Sequence, residues 1–247
     1  MDKTILKIEN LSKTYYNKKE EIKAIDNFSL DVKDKEIIAI VGPSGCGKST
    51  ILSILSGIDT EYKGNIIKDN IKLGYMLQQD ALLEWRNILD NTLIGLEIEH
   101  NLNDISKKYV MNLLKTYGLK DFIYSYPSNL SGGMRQRVAL IRTLATNPDI
   151  ILLDEPFSAL DYQTRLKVSD DVYKILKKEG KTAIIVTHDI AEAVTIADRV
   201  VVLSNRPSRI KKIIDIEYEK TIPTLHRRYK EFNTYYDMVW KEIDKYE

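Results

Sequence analysis

The 247-residue chain has little cysteine, almost no net charge and no long apolar run. The single Cys46 excludes a disulfide within the chain and fits a reducing compartment. Lys and Arg total 37 against 36 Asp and Glu, giving a formal net charge of +1. A general nucleic-acid binder usually carries a basic excess, so we expect no nucleic-acid partner.

The sequence also lacks the patterns typical of signal peptides and of membrane-spanning helices. Residues 1–10 show no basic stretch leading into an apolar one, so we expect no signal peptide. No apolar run approaches the roughly 20 residues that a membrane-spanning helix needs. We therefore expect a soluble chain, for which any membrane role must come through a partner.

Three continuous apolar runs predict buried strands of a parallel sheet covered on both faces. They are EIIAIV at 36–41, IILLD at 150–154 and TAIIVT at 182–187. Apolar residues recur at helical spacing between 166 and 176 and again between 190 and 197. This order of strands and helices predicts a doubly wound α/β core. Two alternating segments near the N-terminus, TILKIENLSKTYY and AIDNFSLDV, predict half-buried strands near a sheet edge.

Two further regions are predicted to be helical. The stretch from about Asn87 to Leu130 lacks β-branched runs, so we expect a helical insert over about 87–135 within a core of 1–222. Its helical spacing is carried by Ile105, Tyr109, Leu113 and Tyr117, and it stops at Gly118. Residues 223–247 form a tail whose apolar residues recur every three or four positions, which predicts a helix that packs on the core or on a partner. The tail positions are Leu225, Tyr229, Phe232, Tyr236, Val239, Ile243 and Tyr246.

A glycine-rich loop between a strand and a helix predicts a nucleotide site. The stretch GPSGCGKST matches G-x-x-x-x-G-K-[ST], in which backbone N–H groups and the helix N-terminus surround phosphate. We expect Lys48 to reach the β- and γ-phosphates, Ser49 to ligate Mg²⁺, and Thr50 to cap the helix or contact the α-phosphate. The residues predicted to bind the nucleotide are Gly42, Pro43, Ser44, Gly45, Cys46, Gly47, Lys48, Ser49 and Thr50. Cys46 is either a reactive thiol or a small buried filler.

An acidic pair ends the second apolar run. Asp154 can hold Mg²⁺ through water at the end of a strand beside the phosphate strand. Glu155 is placed to polarise a water for attack on the γ-phosphate. Downstream of the insert, Ser131, Gly132 and Gly133 predict a capped turn before a helix whose N-terminus offers a second anion site. One chain has one phosphate loop, so this second site would serve a nucleotide held by another copy.

The ordered set GPSGCGKST, LSGGMRQRV, ILLDEP, SALD and VTHD resembles the ATP-binding subunit of an ABC transporter, over about residues 5–210. The resemblance implies a P-loop NTPase core with a mostly parallel sheet, an antiparallel N-terminal β subdomain and a helical insert. It implies an ATPase that uses ATP and Mg²⁺. In that family Tyr15 would stack on adenine, with Tyr16 as a competing candidate, and His188 would contact the γ-phosphate. Gln78 would sense the γ-phosphate and Mg²⁺.

The same resemblance implies partners. Ser131, Gly132 and Gly133 would clamp ATP across a head-to-tail homodimer, and Asp161 would couple its two sites. QQDALLEWRNILDN, Met134 and SNRPSRI are similar to importers of nitrate, sulfonate or taurine, although Glu84 stands where those usually have proline. Such a subunit would work at the cytoplasmic face of the membrane with a permease and an extracytoplasmic solute-binding protein. Importers of thiamine precursors or riboflavin share these features, so the solute stays open.

Other functions remain open on the residues alone. A soluble ABC ATPase usually has two cassettes or a long coiled-coil insert, and a P-loop kinase leaves LSGGMRQRV and VTHD without a purpose. An exporter cassette shares all the motifs. In the segment after Gln78, Trp85 with Leu82 and Leu83 forms either an apolar anchor for a permease helix or part of the core of the insert.

Overall fold

The computed structural model describes residues 3–16, 20–218 and 222–244. Its strands are β1 Thr4–Tyr16, β2 Glu21–Lys33, β3 Ile37–Val41, β4 Lys63–Ile67, β5 Leu73–Met76, β6 Ile150–Asp154, β7 Thr182–Val186, β8 Arg199–Leu203 and β9 Ile210–Asp215. Its α-helices are α1 Lys48–Ser56, α2 Ile88–Ile98, α3 Asp104–Thr116, α4 Gly132–Ala145, α5 Tyr162–Lys178, α6 Ile190–Ile196, α7 Pro223–His226 and α8 Lys230–Asp244. Short 3₁₀ turns at Lys120–Phe122 and Pro127–Asn129 join α3 to α4.

Two sheets organise the described residues. The larger has the order β5-β6-β7-β3-β8-β9, in which β9 alone runs antiparallel to its neighbour β8. The smaller is antiparallel, with β1 between β2 and β4. The predicted fold class is confirmed: a mostly parallel core carries an antiparallel N-terminal sheet and the helices α2–α4. Among these residues we find no helix with both the length and the apolar character needed to cross a membrane.

The central strands are apolar throughout because both of their faces are covered. Ile37, Ala39 and Val41 of β3 face a core formed with α2–α6 and α8. Ile38 and Ile40 face a second core formed with the antiparallel sheet and α1. Successive side chains of a strand point to opposite faces, so one run of five buried residues contributes to two cores. The three predicted core strands, β3, β6 and β7, are confirmed.

This topology gathers the carboxyl ends of four neighbouring strands at one sheet edge. The phosphate loop follows β3, the acidic pair ends β6, His188 follows β7 and Gln78 follows β5. In the order β5-β6-β7-β3 these strands are parallel, so their carboxyl ends point the same way. The expectation that the Asp154 strand lies beside the phosphate strand is wrong, because β7 pairs with both and separates them. Ligand sites of open α/β sheets lie at such edges.

Two helical predictions need correction in detail. In α3 the buried face is Val110, Leu113 and Leu114, whereas Ile105, expected on that face, is 82% exposed in the first turn. The tail forms two helices rather than one, because α7 ends at His226 and α8 begins at Lys230. The predicted packing on the core is confirmed: Val239 is fully buried, and Phe232, Tyr236 and Ile243 pack against the same core. Leu225 remains partly exposed, and Tyr246 lies outside the described residues.

Candidate functional site

The loop between β3 and α1 has a backbone that requires glycine. Gly45 and Gly47 have φ angles of 72° and 120°, which residues with a Cβ rarely adopt. A Cβ on Gly47 would lie 3.1 Å from the carbonyl oxygen of Ala24. Gly47 is the N-cap of α1 and supplies no side-chain cap, so the first N–H groups of the helix are left for an anion.

The loop also holds a buried lysine. The Nζ of Lys48 donates to the carbonyl oxygens of Gly42 and Pro43 at 2.8 and 2.9 Å, and only 6% of the residue is exposed. Ser44 and Gly45 are exposed on the loop, and in the first turn of α1 Ser49 is exposed and Thr50 half-buried. The arrangement presents a cation and helix N–H groups at one place, as a polyphosphate requires.

The position of Cys46 contradicts the alternative of a reactive thiol. Its side chain is 1% exposed and packs with the second core rather than on the rim. Burial raises the pKa of the thiol, although Lys48 and backbone N–H groups work in the opposite direction. A Cβ on Gly42 would lie 3.1 Å from the Cys46 Sγ, so the sulfur fills the space under the loop. The structure supports the buried-filler alternative.

Asp154 lies at the end of β6 against the loop. Its Oδ1 accepts a hydrogen bond from the Ser49 hydroxyl at 3.1 Å, and its Oδ2 accepts one from the Tyr75 hydroxyl at 3.1 Å. Burial raises the pKa of the Asp154 carboxyl, whereas the two hydroxyl donors lower it. Tyr75, at the end of β5, was missed by the sequence reasoning because no motif marks it.

This donor set fits Mg²⁺. Carboxylate and hydroxyl oxygens are the ligands that this cation prefers, and a bound cation would relieve the cost of burying the Asp154 charge. In the part of the chain that the structure describes, no cluster of three or more His, Cys, Asp or Glu side chains could hold a metal ion. The fit is therefore to a cation that completes its shell with water and phosphate oxygens, as Mg²⁺ does in nucleotide sites.

Three predicted catalytic side chains meet at Glu155. The Nε2 of Gln78 donates to Glu155 Oε2 at 3.0 Å, and His188 Nδ1 lies 3.2 Å from Oε1. Glu155 has a φ of 44°, an uncommon backbone conformation held by a hydrogen bond from its N–H to the carbonyl of Val186. Each oxygen of the Glu155 carboxylate thus contacts one of the other two side chains.

Behind His188, a buried carboxyl supports the turn after β7. The hydroxyl of Thr187 donates to Glu192 Oε2 at 2.7 Å, and Glu192 is 4% exposed. Burial raises the pKa of Glu192 to about 7, with a further contribution from Asp189, although Thr187 and the Arg165 guanidinium favour its charged form. No sequence pattern marks Glu192 beyond its place in the first turn of α6.

The S-G-G turn begins α4 as predicted. Ser131 is the N-cap, and its hydroxyl accepts from the N–H of Met134 at 3.4 Å. A Cβ on Gly133 would lie 2.9 Å from Val168 Cγ2, so glycine lets α4 approach α5 closely. Gly132 lines a cavity of about 870 Å³ together with Gln78, Glu155 and His188. The structure therefore joins the beginning of α4 to the Glu155 group.

The remaining predicted site residues are Tyr15, with Tyr16 as its alternative, at the end of β1, and Asp161 at the start of α5. The hydroxyl of Tyr15 is 3.5 Å from Thr50 Oγ1 and 3.2 Å from Asp59 Oδ2, so this ring stands beside the phosphate loop. Tyr16 follows on the strand and is 75% exposed. Asp161 is the N-cap of α5, where its Oδ1 accepts from the N–H groups of Gln163 and Thr164 at 3.1 Å.

In the segment after Gln78, the structure shows which of Leu82, Leu83 and Trp85 lie in the core and which on the surface. Leu82 is 7% exposed and belongs to the first core, and Leu83 is half-buried. The backbone of Leu83 is held by the side chain of buried Asn91, which accepts at 2.7 Å and donates at 3.0 Å. Trp85 is 75% exposed. The apolar anchor proposed from the sequence therefore reduces to Trp85.

Sequence comparison relates this geometry to known proteins. A family model described as ABC transporter matches residues 25–158. The chain is 42% identical to an uncharacterized ABC transporter ATP-binding protein of Bacillus subtilis (strain 168), over 99% of this chain and 97% of the relative. It is 40% identical to a taurine import ATP-binding protein of Ruegeria pomeroyi, over 86% of this chain and 82% of the relative.

The fold is similar to a solved dimer. The structure of an ATP-binding cassette in a post-hydrolysis state, bound to ADP and Pi, superposes with a TM-score of 0.73 at 32% identity. The match covers 87% of this chain and 100% of that chain.

Proposed function

Because this chain belongs to the ABC transporter family and is an ATP-binding ATPase, we propose that it powers import of a small nitrogen- or sulfur-containing solute. Its relatives include a protein described as a taurine import ATP-binding protein, which supports a solute of the nitrate, sulfonate or taurine kind. The ATPase unit would comprise residues 1–222 with the helical insert at about 87–135, and residues 223–247 would be its tail.

The convergence of Gln78 and His188 on Glu155 carries the proposal for hydrolysis. The Glu155 carboxylate takes a proton from a water whose oxygen attacks the γ-phosphorus, and the bond to the bridging oxygen of ADP breaks. His188, 3.2 Å from Glu155, contacts the γ-phosphate, and Gln78 orients the water beside it. Lys48 and the loop N–H groups bind the phosphates of ATP. This division of roles explains why Gln78, Glu155 and His188 lie together at the carboxyl ends of neighbouring strands.

Mg²⁺ is proposed as the cofactor. Ser49, Asp154 and Gln78 would hold it, directly or through water. When bound, it would neutralise charge on the β- and γ-phosphate oxygens. The hydrogen bond between Ser49 and Asp154 brings two of these oxygen groups together, which supports the proposal.

We propose that ATP closes two copies head to tail. Ser131, Gly132 and Gly133 would contact the nucleotide of the second copy, Asp161 would couple the two sites, and Tyr15 would stack on adenine. ATP should drive association when hydrolysis is blocked, because the S-G-G turn is completed only in the pair. Sedimentation of Glu155→Gln with and without ATP tests this, and a monomer at saturating ATP would contradict it.

A separate permease is the proposed membrane partner, with an extracytoplasmic solute-binding protein delivering the solute. The subunit would lie at the cytoplasmic face of the membrane. Trp85 supports a docking surface: it is 75% exposed beside the segment that follows Gln78. Large aromatic side chains left in water commonly serve as anchors at interfaces.

Growth tests the importer proposal. Cells lacking this chain should lose growth on taurine or another sulfonate as sole sulfur source, or on nitrate as sole nitrogen source. The wild-type chain should restore growth and Glu155→Gln should not. Unimpaired growth and uptake on all of these compounds would overturn the proposed solute class, while leaving the ATPase assignment in place.

A further inference from the structure

The segment after Gln78 is fastened to α4 by three side chains, which we call the clamp: Asp80, Glu84 and Arg135. Arg135 Nε and Nη2 donate to the two oxygens of Asp80 at 2.7 and 3.0 Å. Arg135 Nη2 also donates to Glu84 Oε1 at 2.8 Å. A two-point contact between a guanidinium and a carboxylate fixes direction as well as distance.

The contact between Arg135 and Asp80 is less exposed to solvent than an ordinary surface ion pair. The side chains of Arg135 and Asp80 are each 23% exposed. Burial alone would raise the pKa of Asp80, but hydrogen bonds from Arg135 and from the N–H of Leu82 hold it below its usual value. Asp80 is therefore ionised at neutral pH, and both members of the pair carry their charges.

A second contact holds the same segment farther along α4. The two terminal nitrogens of Arg142 donate to the carbonyl oxygens of Ala81 and Asp80 at 2.8 and 2.6 Å. The segment is thus attached to α4 at two points, nearly two turns apart along the helix. Rotation or translation of α4 must move the segment with it.

Both ends of this connection lie next to groups proposed to act on ATP. Gln78 is two residues before Asp80 and donates to Glu155. Arg135 is in the first turn of α4, which begins at the S-G-G residue Gly132. The neighbouring Gln136 donates to the carbonyl of Pro156, directly after Glu155, and is 6% exposed.

We propose that Arg135 is a positioning residue for ATP hydrolysis. Through Asp80, with Glu84 as a second carboxylate, it couples the S-G-G end of α4 to Gln78. Gln78 already contacts Glu155 at 3.0 Å in the single chain, and the clamp holds it there when the S-G-G turn closes on the nucleotide of a second copy. Glu84, which departs from the proline usual in similar importers, acquires a role in this connection. The inference rests on the proposed roles of the S-G-G turn and Gln78.

A double-mutant cycle tests the coupling. We expect Asp80→Asn and Arg135→Ala each to lower kcat about tenfold, because Gln78 loses its position, and the double variant to lower it no further. ATP affinity of the monomer should change by less than about threefold, because the clamp does not contact the phosphate loop. Arg135→Lys should recover only part of kcat, since an ammonium cannot make the two-point contact.

Control variants separate positioning from folding. Glu97→Gln breaks a 2.7 Å ion pair with Arg86 of similar exposure that does not reach α4, and it should keep wild-type kcat. Thermal unfolding must show every variant folded at the assay temperature. If Asp80→Asn does not fold, Glu84→Gln cuts only the exposed arm of the clamp and should lower kcat about threefold.

Three results would overturn the inference: wild-type kcat in both single variants, losses that multiply in the double variant, or an equal loss of ATP affinity. Sedimentation separates this failure from failure of the proposed function. If Glu155→Gln with an intact clamp does not associate in ATP, the proposed dimer fails. If it associates and the clamp variants hydrolyse ATP normally, only the coupling through Arg135 fails.

Discussion

Replacing Glu192 by glutamine should remove a pH-dependent loss of stability. Glu192 is 4% exposed, and burial raises the pKa of its carboxyl to about 7 from its ordinary value of 4.5. The folded chain therefore holds a proton that the unfolded chain releases between these two values. The stability that this proton contributes is fully present below pH 4.5 and is lost as the pH rises to about 7.

The size of the effect follows from the shift. The loss approaches about 1.4 kcal/mol per pH unit in the middle of that window and is smaller near each pKa, so wild type should lose about 2 kcal/mol from Glu192 between about pH 5 and pH 7. Glutamine has the shape of the protonated acid and keeps an acceptor for the Thr187 hydroxyl, so the variant should escape this loss. Relative to wild type, Glu192→Gln should gain about 2–3 kcal/mol between about pH 5 and pH 8.

Urea unfolding of wild type and Glu192→Gln at about pH 5 and about pH 8 measures this difference in unfolding free energy. Glu97→Gln removes the same charge from a half-buried ion pair with Arg86 and controls for the change in net charge. Other titrating groups contribute equally to wild type and variant and cancel in the comparison. A free-energy difference between Glu192→Gln and wild type that does not change with pH would refute the reasoning.

Three further predictions concern buried and exposed positions. Alkylation of Cys46 should be at least about tenfold slower in the native chain than in urea and should not respond to MgATP, because burial keeps the thiol protonated and shielded; rapid alkylation that MgATP blocks would restore the reactive thiol. Val239→Ala, at a fully buried position of α8, should cost about 2 kcal/mol and lower Tm by about 4–8 °C. Trp85→Ala, at a 75% exposed position, should change Tm by less than about 2 °C while impairing assembly with the permease; the reverse order of Tm losses would contradict both placements.

Three strands of the larger sheet and most of the candidate site could be predicted because their signals are local. β3, β6 and β7 are buried on both faces, so each reads as an unbroken apolar run. The residues that follow them include glycines, acids and a histidine that have no place in a strand. Parallel strands bring such residues to one edge, so finding the strands also located the site.

The missed elements depend on distant partners. β4 is mostly exposed and reads as a loop, and its strand geometry comes from pairing with β1, as between Glu9 and Asn65. In α3 the apolar spacing allows neighbouring stripes, and packing selects Val110, Leu113 and Leu114. The contact between Asp80 and Arg135 joins residues 55 positions apart, and no sequence pattern marks such a pair.

Steady-state ATP hydrolysis by purified Glu155→Gln tests the central claim most directly. The substitution keeps the shape of the side chain near Gln78 and His188 and removes its basicity. We expect kcat to fall by about 10²–10⁴ while ATP affinity stays within about threefold of wild type. Hydrolysis near the wild-type rate, with ATP bound normally, would contradict the account.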